Sequence, residues 1–592
     1  VYRHFIALFI IVLGIGALPL AAQTSSLQGV ISDPSGALVP GAIVTITNTE
    51  TSVSRQELSD DSGAYRFLQV LPGPYKVEVQ LPGFKTKVSQ VILQVGKPET
   101  LNLEMAVGQA ADVVSVVAET TTVNTENATV GNPFTEKQVI ELPLQTRNVV
   151  ALLSQEPGVA STGQVLGARP DQNNVTLDGA NVTDTRGSDG FNSVLQIPLD
   201  SVQEFRTTIA GQGADQGHSA GGQVTLLTKS GTNALHGSVY EYNRNTDFEA
   251  NDWFSNKAGV ARPALIRNQY GFSVGGPIKK NRLFFFYNWE ARKDRSQSAA
   301  TATVPSDSLK QGFVKVLLKN NQTVTLTPAD IKAIDPLGIG ENPYITNLIQ
   351  TYPSGNNPGG VADKGLNFNQ LLFNAPQPLN NHVQVAKLDY VIDNASRHTV
   401  SVRGTLVGDS QIPTSGLALF PGQTPISQTL DNSRGISARY TYVVTPTLVN
   451  VFNYGFTRLG NATTGSLNVV PNFGFQTLQP TVRGQTRIAP TPNVTDDLTW
   501  TKGKHTFQMG FNYIIAKNIT SVANNEPSYS YSRNVLLGLG NDITNAVTSY
   551  IQNQKGIPGA ALSSTTNVAN AFGAIYGLLN SGSATYNFGI NG

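Results

Sequence analysis

Thr399-Val400-Ser401-Val402-Arg403-Gly404-Thr405-Leu406 is the stretch that decides the fold of this 592-residue chain. Successive side chains of a strand point to opposite faces, so Val400, Val402, Gly404 and Leu406 form one face and Thr399, Ser401, Arg403 and Thr405 the other. The same alternation recurs. Ile436, Ala438, Tyr440 and Tyr442 oppose Ser437, Arg439 and Thr441. Phe452, Tyr454 and Phe456 oppose Asn453, Gly455 and Thr457, and Phe507, Met509, Phe511 and Tyr513 oppose Gln508, Gly510 and Asn512. An apolar, aromatic-rich face backed by a polar one is the pattern of a transmembrane β-barrel. Nine such segments are predicted, at 236–245, 268–276, 282–291, 381–392, 397–408, 432–444, 447–459, 495–501 and 504–516.

Their connections alternate in length. Long ones follow the first, third, fifth, seventh and ninth segments; the short ones are 277–281, 393–396, 445–446 and 502–503. Outer-membrane barrels have short periplasmic turns and long extracellular loops, so the first strand is expected to rise from the periplasm. After Leu20 there is no run of about 18 apolar residues, which leaves strands as the means of crossing a membrane. A tenth strand begins at Tyr586, Phe588 and Ile590. Nine strands are far from the ~22 of a large plugged barrel, and an open wall would expose strand edges to lipid. The expectation is therefore a piece of a longer protein whose barrel is incomplete here.

Composition narrows the function. Only 14% of residues are charged and the formal net charge is +1, without the basic bias of a nucleic-acid binder. There is no Cys, which excludes a disulfide framework, thiolate metal sites and a reactive thiol. Six His stand at 4, 218, 236, 382, 398 and 505, and none has the spacing of a zinc peptidase. No catalytic residue, metal site or cofactor is predicted. At the N-terminus, Arg3 and His4 precede the apolar run Phe5 to Leu18 and the small residues Ala21-Ala22, the pattern of a signal peptide over 1–22.

Between that segment and the strands lie three further parts. Residues 24–105 read as short alternating strands, such as Ala42 to Thr47 and Tyr75 to Val79, punctuated by Asp33-Pro34-Ser35-Gly36, Asp61-Ser62-Gly63 and Leu71-Pro72-Gly73-Pro74. Those turns, with Val39-Pro40-Gly41-Ala42, Tyr65-Arg66-Phe67 and Gly83-Phe84, resemble a carboxypeptidase regulatory-like domain. The resemblance implies a transthyretin-like β-sandwich, grouped with carbohydrate-binding-like folds. The Asp60-Asp61 pair reads as a solvated turn, since a cation site would need a third acidic ligand nearby. Residues 106–123 lose turn punctuation and contain Asp112-Val113-Val114-Ser115-Val116-Val117-Ala118. This run can be the last strand of the sandwich, or it can add itself to a partner's sheet edge. In the second role it resembles a TonB box, which its place ahead of the next part favours.

Residues 124–232 carry Leu142-Pro143-Leu144, a short apolar helix from Val149 to Leu153, Leu177-Asp178-Gly179, Ile197-Pro198-Leu199-Asp200-Ser201 and Gly221-Gly222 through Thr228-Lys229. In this order the segments resemble the plug of TonB-dependent receptors, in particular the Oar-like branch. So do Asn268 to Ile278 and Arg282 to Glu290, which in that family are early barrel strands. Leu177, Asp178, Gly179, Gly221, Gly222, Thr228 and Lys229 are the plug signature. The glycines lie in β-type sequence with no Gly-Lys-Ser/Thr after them, which excludes a phosphate loop.

The predicted fold is mainly β: an N-terminal transthyretin-like sandwich, a mixed α/β plug, and the first part of an antiparallel transmembrane barrel over 235–592. The resemblance implies a TonB-dependent carrier in the outer membrane, not an enzyme, with the N-terminal domain in the periplasm. Its partners would be TonB with its inner-membrane energising complex, outer-membrane lipid, and a substrate such as a carbohydrate or peptide. Residues 112–118 would take the pull. An adhesion or matrix-assembly protein using the long loop 292–380 and the sandwich as interaction modules is the alternative, and glycan binding by 24–105 a third.

Overall fold

The structure, a computed structural model, describes residues 24–108, 113–117 and 129–585. Excepted are 132, 142–148, 150–151, 153–155, 161–162, 170–171, 185–192, 212–216, 218, 258, 337, 466–470, 473–474, 480–481, 483, 504, 523–527, 533–538 and 579–580. The signal peptide, Asp112, Ala118, Leu142 to Asn148 and the strand start at Tyr586 lie outside the described residues.

The first unit is a two-sheet sandwich. Its strands are β1 (Ser25–Ser32), β2 (Ile43–Asn48), β3 (Ser54–Leu58), β4 (Ala64–Val70), β5 (Gly73–Gln80), β6 (Thr86–Leu93), β7 (Glu99–Thr100), β8 (Leu103–Glu104) and β9 (Val113–Val117). One sheet has β4 beside β1, which also pairs with β7 and β8; the other runs β3-β2-β5-β6-β9. Alternation sends Leu27, Ile31, Val44, Ile46, Phe67, Val77 and Val79 into one core between them. Asp60 is a turn residue, as read: its carboxylate accepts from the Ser62 N–H and hydroxyl and the Ala64 N–H.

The second unit is a small mixed domain. It contains β10 (Pro133–Thr135), α1 (Glu136–Glu141), β11 (Asn174–Leu177), β12 (Ala180–Asn181), β13 (Val202–Thr208) and β14 (Gln223–Thr228). The sheet order is β10-β13-β14-β11-β12, with β11 and β14 parallel. Its core of Val175, Leu177, Phe205, Val224 and Leu226 continues into Val383, Val385 and Val407 of the third unit. The domain therefore shares apolar contacts with the wall beside it.

That wall begins with β15 (His236–Asn245). After α2 (Trp253–Lys257) come β16 (Leu265–Lys279) and β17 (Leu283–Pro305). An excursion then holds α3 (Asp307–Lys310), the hairpin β18 (Val314–Leu317) and β19 (Thr323–Leu326), α4 (Pro328–Ile334) and α5 (Pro343–Gln350). The wall resumes with β20 (Phe368–Pro376), β21 (Leu379–Val391), β22 (His398–Gln411), β23 (Thr429–Asp431), β24 (Arg434–Thr445) and β25 (Leu448–Thr463). Further on lie β26 (Pro471–Asn472), β27 (Gln485–Lys502), β28 (His505–Ile514), β29 (Ile519–Val522), β30 (Ser528–Ser532), α6 (Leu539–Asn553), α7 (Thr565–Tyr576) and β31 (Ser581–Thr585).

Each of the nine predicted segments is a strand, and β15-β16-β17-β21-β22-β24-β25-β27-β28 pair antiparallel in sequence order. The short turns all lie at one end of this wall. At the other end the strands outgrow the predicted lengths: the far part of β17 leaves β21 and pairs with β20. On the outer face Leu388, Leu406, Ile436, Phe452, Tyr454, Trp500, Phe507 and Tyr513 are exposed together, an apolar belt of the kind lipid covers.

The long loops are not loose. Val316, Leu326, Ile331, Ile345, Phe373, Ile543, Val547 and Phe572 share one core, so the excursion, strand β20 (together 306–376) and the distant helices α6 and α7 form a single lobe at the far end. Tyr352 stands at its junction with two other loops, with ring centroids 5.7 Å from Phe420 and 5.0 Å from Phe475.

Candidate functional site: the seam between plug and wall

The tip of the β11–β12 hairpin is Asp178-Gly179, between the paired residues Leu177 and Ala180. Both take positive φ, 46° and 83°, which fits the two-residue turn that suits a twisted hairpin and favours Asp-Gly. Gly179 is required twice over. A Cβ there would lie 2.8 Å from Asn453 Nδ2 of the wall. The wall makes a matching concession at Gly455, where a Cβ would come within 2.8 Å of the Ala180 Cα. Small residues on both sides let plug backbone and wall touch.

Polar contacts fasten this tip. The Asp178 carboxylate accepts from the Thr228 N–H at 3.1 Å and its hydroxyl at 2.7 Å, both within the plug. From the wall, Arg403 Nε donates to it at 3.3 Å and Lys387 Nζ stands 3.8 Å away. Arg403 Nη2 also donates to the Leu177 carbonyl at 2.9 Å, and Lys387 Nζ to the Thr228 carbonyl at 3.0 Å. Ser437 donates to the Asp178 carbonyl at 2.6 Å, and Thr457 to that of Asn181 at 2.8 Å. Burial alone would raise the Asp178 pKa; Lys387, Arg403 and the Thr228 bonds outweigh it and hold the carboxyl below its ordinary range. Further out, Arg487 grips Asp184 in a two-bond fork at 2.7 and 3.1 Å.

The predicted plug signature divides. Leu177, Asp178, Gly179 and Thr228 meet at this seam. Gly221 and Gly222 sit at the other end of β14 against Asn173, whose Oδ1 accepts from the Gly222 N–H at 2.8 Å. Lys229 turns away to Glu136 of α1 at 2.8 Å. The wall residues Lys387, Arg403, Ser437, Asn453 and Thr457 were not singled out from the sequence. Their one signal was that they occupy the polar face of apolar-backed strands. Val113–Val117, read as a coupling segment within a linker, is β9, paired in parallel with β6 from Thr86↔Val113 to Gln90↔Val117. Its place is that of the sandwich's last strand, the other reading open to the sequence.

The seam is a fastening rather than a reaction centre. Among the described residues no group of three His, Cys, Asp or Glu is placed to hold a metal ion. Its bonds join plug and wall through polar groups and small side chains, beside the apolar core that the two share.

Comparison with known proteins agrees with this architecture. Residues 227–576 match the family described as outer membrane beta barrel domain, and residues 26–106 that described as carboxypeptidase regulatory-like domain. Over 298 residues the chain is 25% identical to the TonB-dependent transporter Oar of Myxococcus xanthus, covering 47% of this chain and 28% of that protein. Among solved structures it is similar to the outer membrane transporter YddB from Escherichia coli, with 14% identity, 68% of this chain and 50% of that one covered, and a TM-score of 0.46. It is also similar to a ferric enterobactin receptor mutant from Pseudomonas aeruginosa, with 13% identity, 66% and 49% covered, and a TM-score of 0.39. These relatives are transporters and receptors, not enzymes. The chain spans just over a quarter of the curated relative's length.

Proposed function

The chain belongs to the outer membrane beta barrel domain family, and from that premise we propose that it is the plug-bearing part of a TonB-dependent transporter. The single observation that carries this reading is the Asp178-Gly179 tip. A small domain with its own sheet is seated against the inner, polar face of a lipid-type wall through contacts that movement can break. In this reading the short-turn end and the sandwich face the periplasm, and the lobe faces outward. TonB, energised from the inner membrane, pulls at 112–118. The substrate, a carbohydrate or peptide, binds between the lobe and the plug. The outer edge of β9 carries no partner strand among the described residues, which leaves a row of backbone groups for a partner's strand.

The test uses the full-length protein in its own outer membrane. Deleting 112–118 is expected to abolish energy-dependent uptake, and a peptide covering 106–123 to retain the periplasmic domain of TonB. Unchanged uptake together with no retention would reject the coupling role. The folded lobe favours a second reading, an adhesion platform on the same wall. A deletion of 306–376 that abolishes cell cohesion while uptake persists would support that reading over transport.

A further inference from the structure

Strand β4 breaks its alternation at one place. Ser25↔Val70 and Leu27↔Phe67 are successive pairs with β1, so three steps on β4 face two on β1. Such a bulge re-aims side chains. Phe67 and Val70 both enter the sandwich core, while Leu68 and Gln69 both leave it. Gln69 takes a φ of 51°, uncommon for a residue with a Cβ. Arg55 of β3 donates to the Leu68 carbonyl at 2.7 Å, and Thr24 bonds the Gln69 side chain, so the bulge is held from within the sandwich.

What it reaches is the short-turn end of the wall. Leu68 is buried against Val443, Val449 and Val451, which lie beside the β24–β25 turn. These valines share the inner face with Asn453, the residue that meets the plug tip. Gln69 Nε2 donates to Thr499 at 3.0 Å, and Arg66 to Thr506 at 2.9 Å, at the next short turn. On the opposite side, Asn233 bonds the Glu50 and Thr51 carbonyls of the sandwich and also Asn281 of the β16–β17 turn. Between these two holds, Glu204 and Arg206 of plug strand β13 bond the N–H and carbonyl of Val95 at 3.0 and 3.3 Å. The sandwich thus spans the short-turn mouth and grips plug and wall together.

We propose that the Leu68–Gln69 bulge is a latch holding the N-terminal sandwich across this mouth as a second closure, which must disengage before the plug moves. The proposal rests on the reading of the short-turn end as the periplasmic exit. It adds to that reading an inhibitory role for the sandwich, in which a pull on β9 acts first on the sandwich that carries it.

These 592 residues hold no Cys, so an introduced pair supplies the only thiols within them, and the full-length protein without the pair serves as the control. In outer membranes bearing the full-length protein, Leu68→Cys with Val449→Cys is expected to cross-link under mild oxidation, whereas Ile92→Cys, on the exposed sandwich surface, with Val449→Cys is not. A second measurement covers misfolding. Leu68→Asp is expected to speed labelling of Val449→Cys by an impermeant maleimide about tenfold or more, as loss of one buried leucine implies, while Leu68→Met leaves it unchanged. No cross-link, unchanged labelling in Leu68→Asp, or full uptake with the cross-link intact would each overturn the latch. Cross-linking and labelling need neither substrate nor TonB. Uptake that ignores TonB while the cross-link still forms would strike the transport reading alone.

Discussion

Asp178 and Arg403 lie 225 residues apart in the chain, and in the fold the Arg403 Nε is 3.3 Å from the Asp178 carboxylate, with both side chains almost wholly buried. One belongs to the plug and the other to the wall, so this pair measures how firmly the two are joined. Removing one member of a buried pair leaves the other charge unpaired, at a cost of about 3–5 kcal/mol. Asp178→Ala is therefore expected to make the plug segment 129–231 strongly protease-sensitive in outer-membrane preparations. Arg403→Ala should do the same, and the double variant should be far less damaging than the sum. Strict additivity in that cycle would show that the pair does not couple plug to wall.

The same carboxylate sets an acid limit. Its pKa in the fold is lowered from 3.8, so the seated plug favours the ionised form. That stabilisation is complete above the ordinary value and is lost only as pH falls through the lowered one. The urea concentration that frees the plug should hold steady from neutrality to about pH 4 as far as this group is concerned, and drop below it. Asp178→Asn should remove that acid step.

Glu204 has the opposite sign. Burial raises its pKa from 4.5 to about 7, against the Val95 N–H and neighbouring Arg206, which favour the charge. The folded state thus takes up a proton. The contribution of this group to stability is complete below about pH 4.5 and is lost as pH rises through about 7. The urea concentration that frees the plug should be higher near pH 5 than near pH 8 (about those values) as far as this group is concerned. Glu204→Gln should remove that difference; a difference that persists in the variant would exclude Glu204 as the titrating group.

The close approach at the hairpin tip is tested sterically. Gly455→Val would drive a branched side chain into Ala180, and Gly179→Ala combines a clash near Asn453 with a φ of 83°. Each is expected to unseat the tip, at a cost above the ~1 kcal/mol typical of a positive-φ substitution alone. Protease cleavage within 129–231 reads this. Wild-type resistance in Gly455→Val would mean the plug sits elsewhere.

The lobe offers a test of loop architecture. Tyr352 joins three loops through Phe420, Phe475 and a 2.7 Å bond from its hydroxyl to the Gln476 carbonyl. Tyr352→Ala should cost about 3–5 kcal/mol and expose 306–376 to protease on intact cells. Tyr352→Phe, which loses one hydrogen bond, should cost about 1 kcal/mol and leave the lobe closed.

Local pattern was enough for much of this protein. Alternation along Thr399 to Leu406 and its counterparts identified nine wall strands, and the unequal connections marked which ends carry turns, because side-chain period and turn length are properties of neighbouring residues. Asp178 and Gly179 stood out only as plug-signature residues through the resemblance, and the tight turn they form came from the structure. What the turn touches was not legible, since Arg403 reads as one more polar residue on an alternating strand until folding brings it to Asp178. Nor was the lobe: residues 292–380 read as one long loop because its core is completed by Ile543, Val547 and Phe572 from far along the chain. Val113–Val117 could be strand or free segment by composition alone, and pairing with β6 decided its place. Leu68 and Gln69 show the limit most plainly. Alternation would send one of them inward; a single extra residue in β4 sends both out, and only the packing of two distant units gives them something to hold.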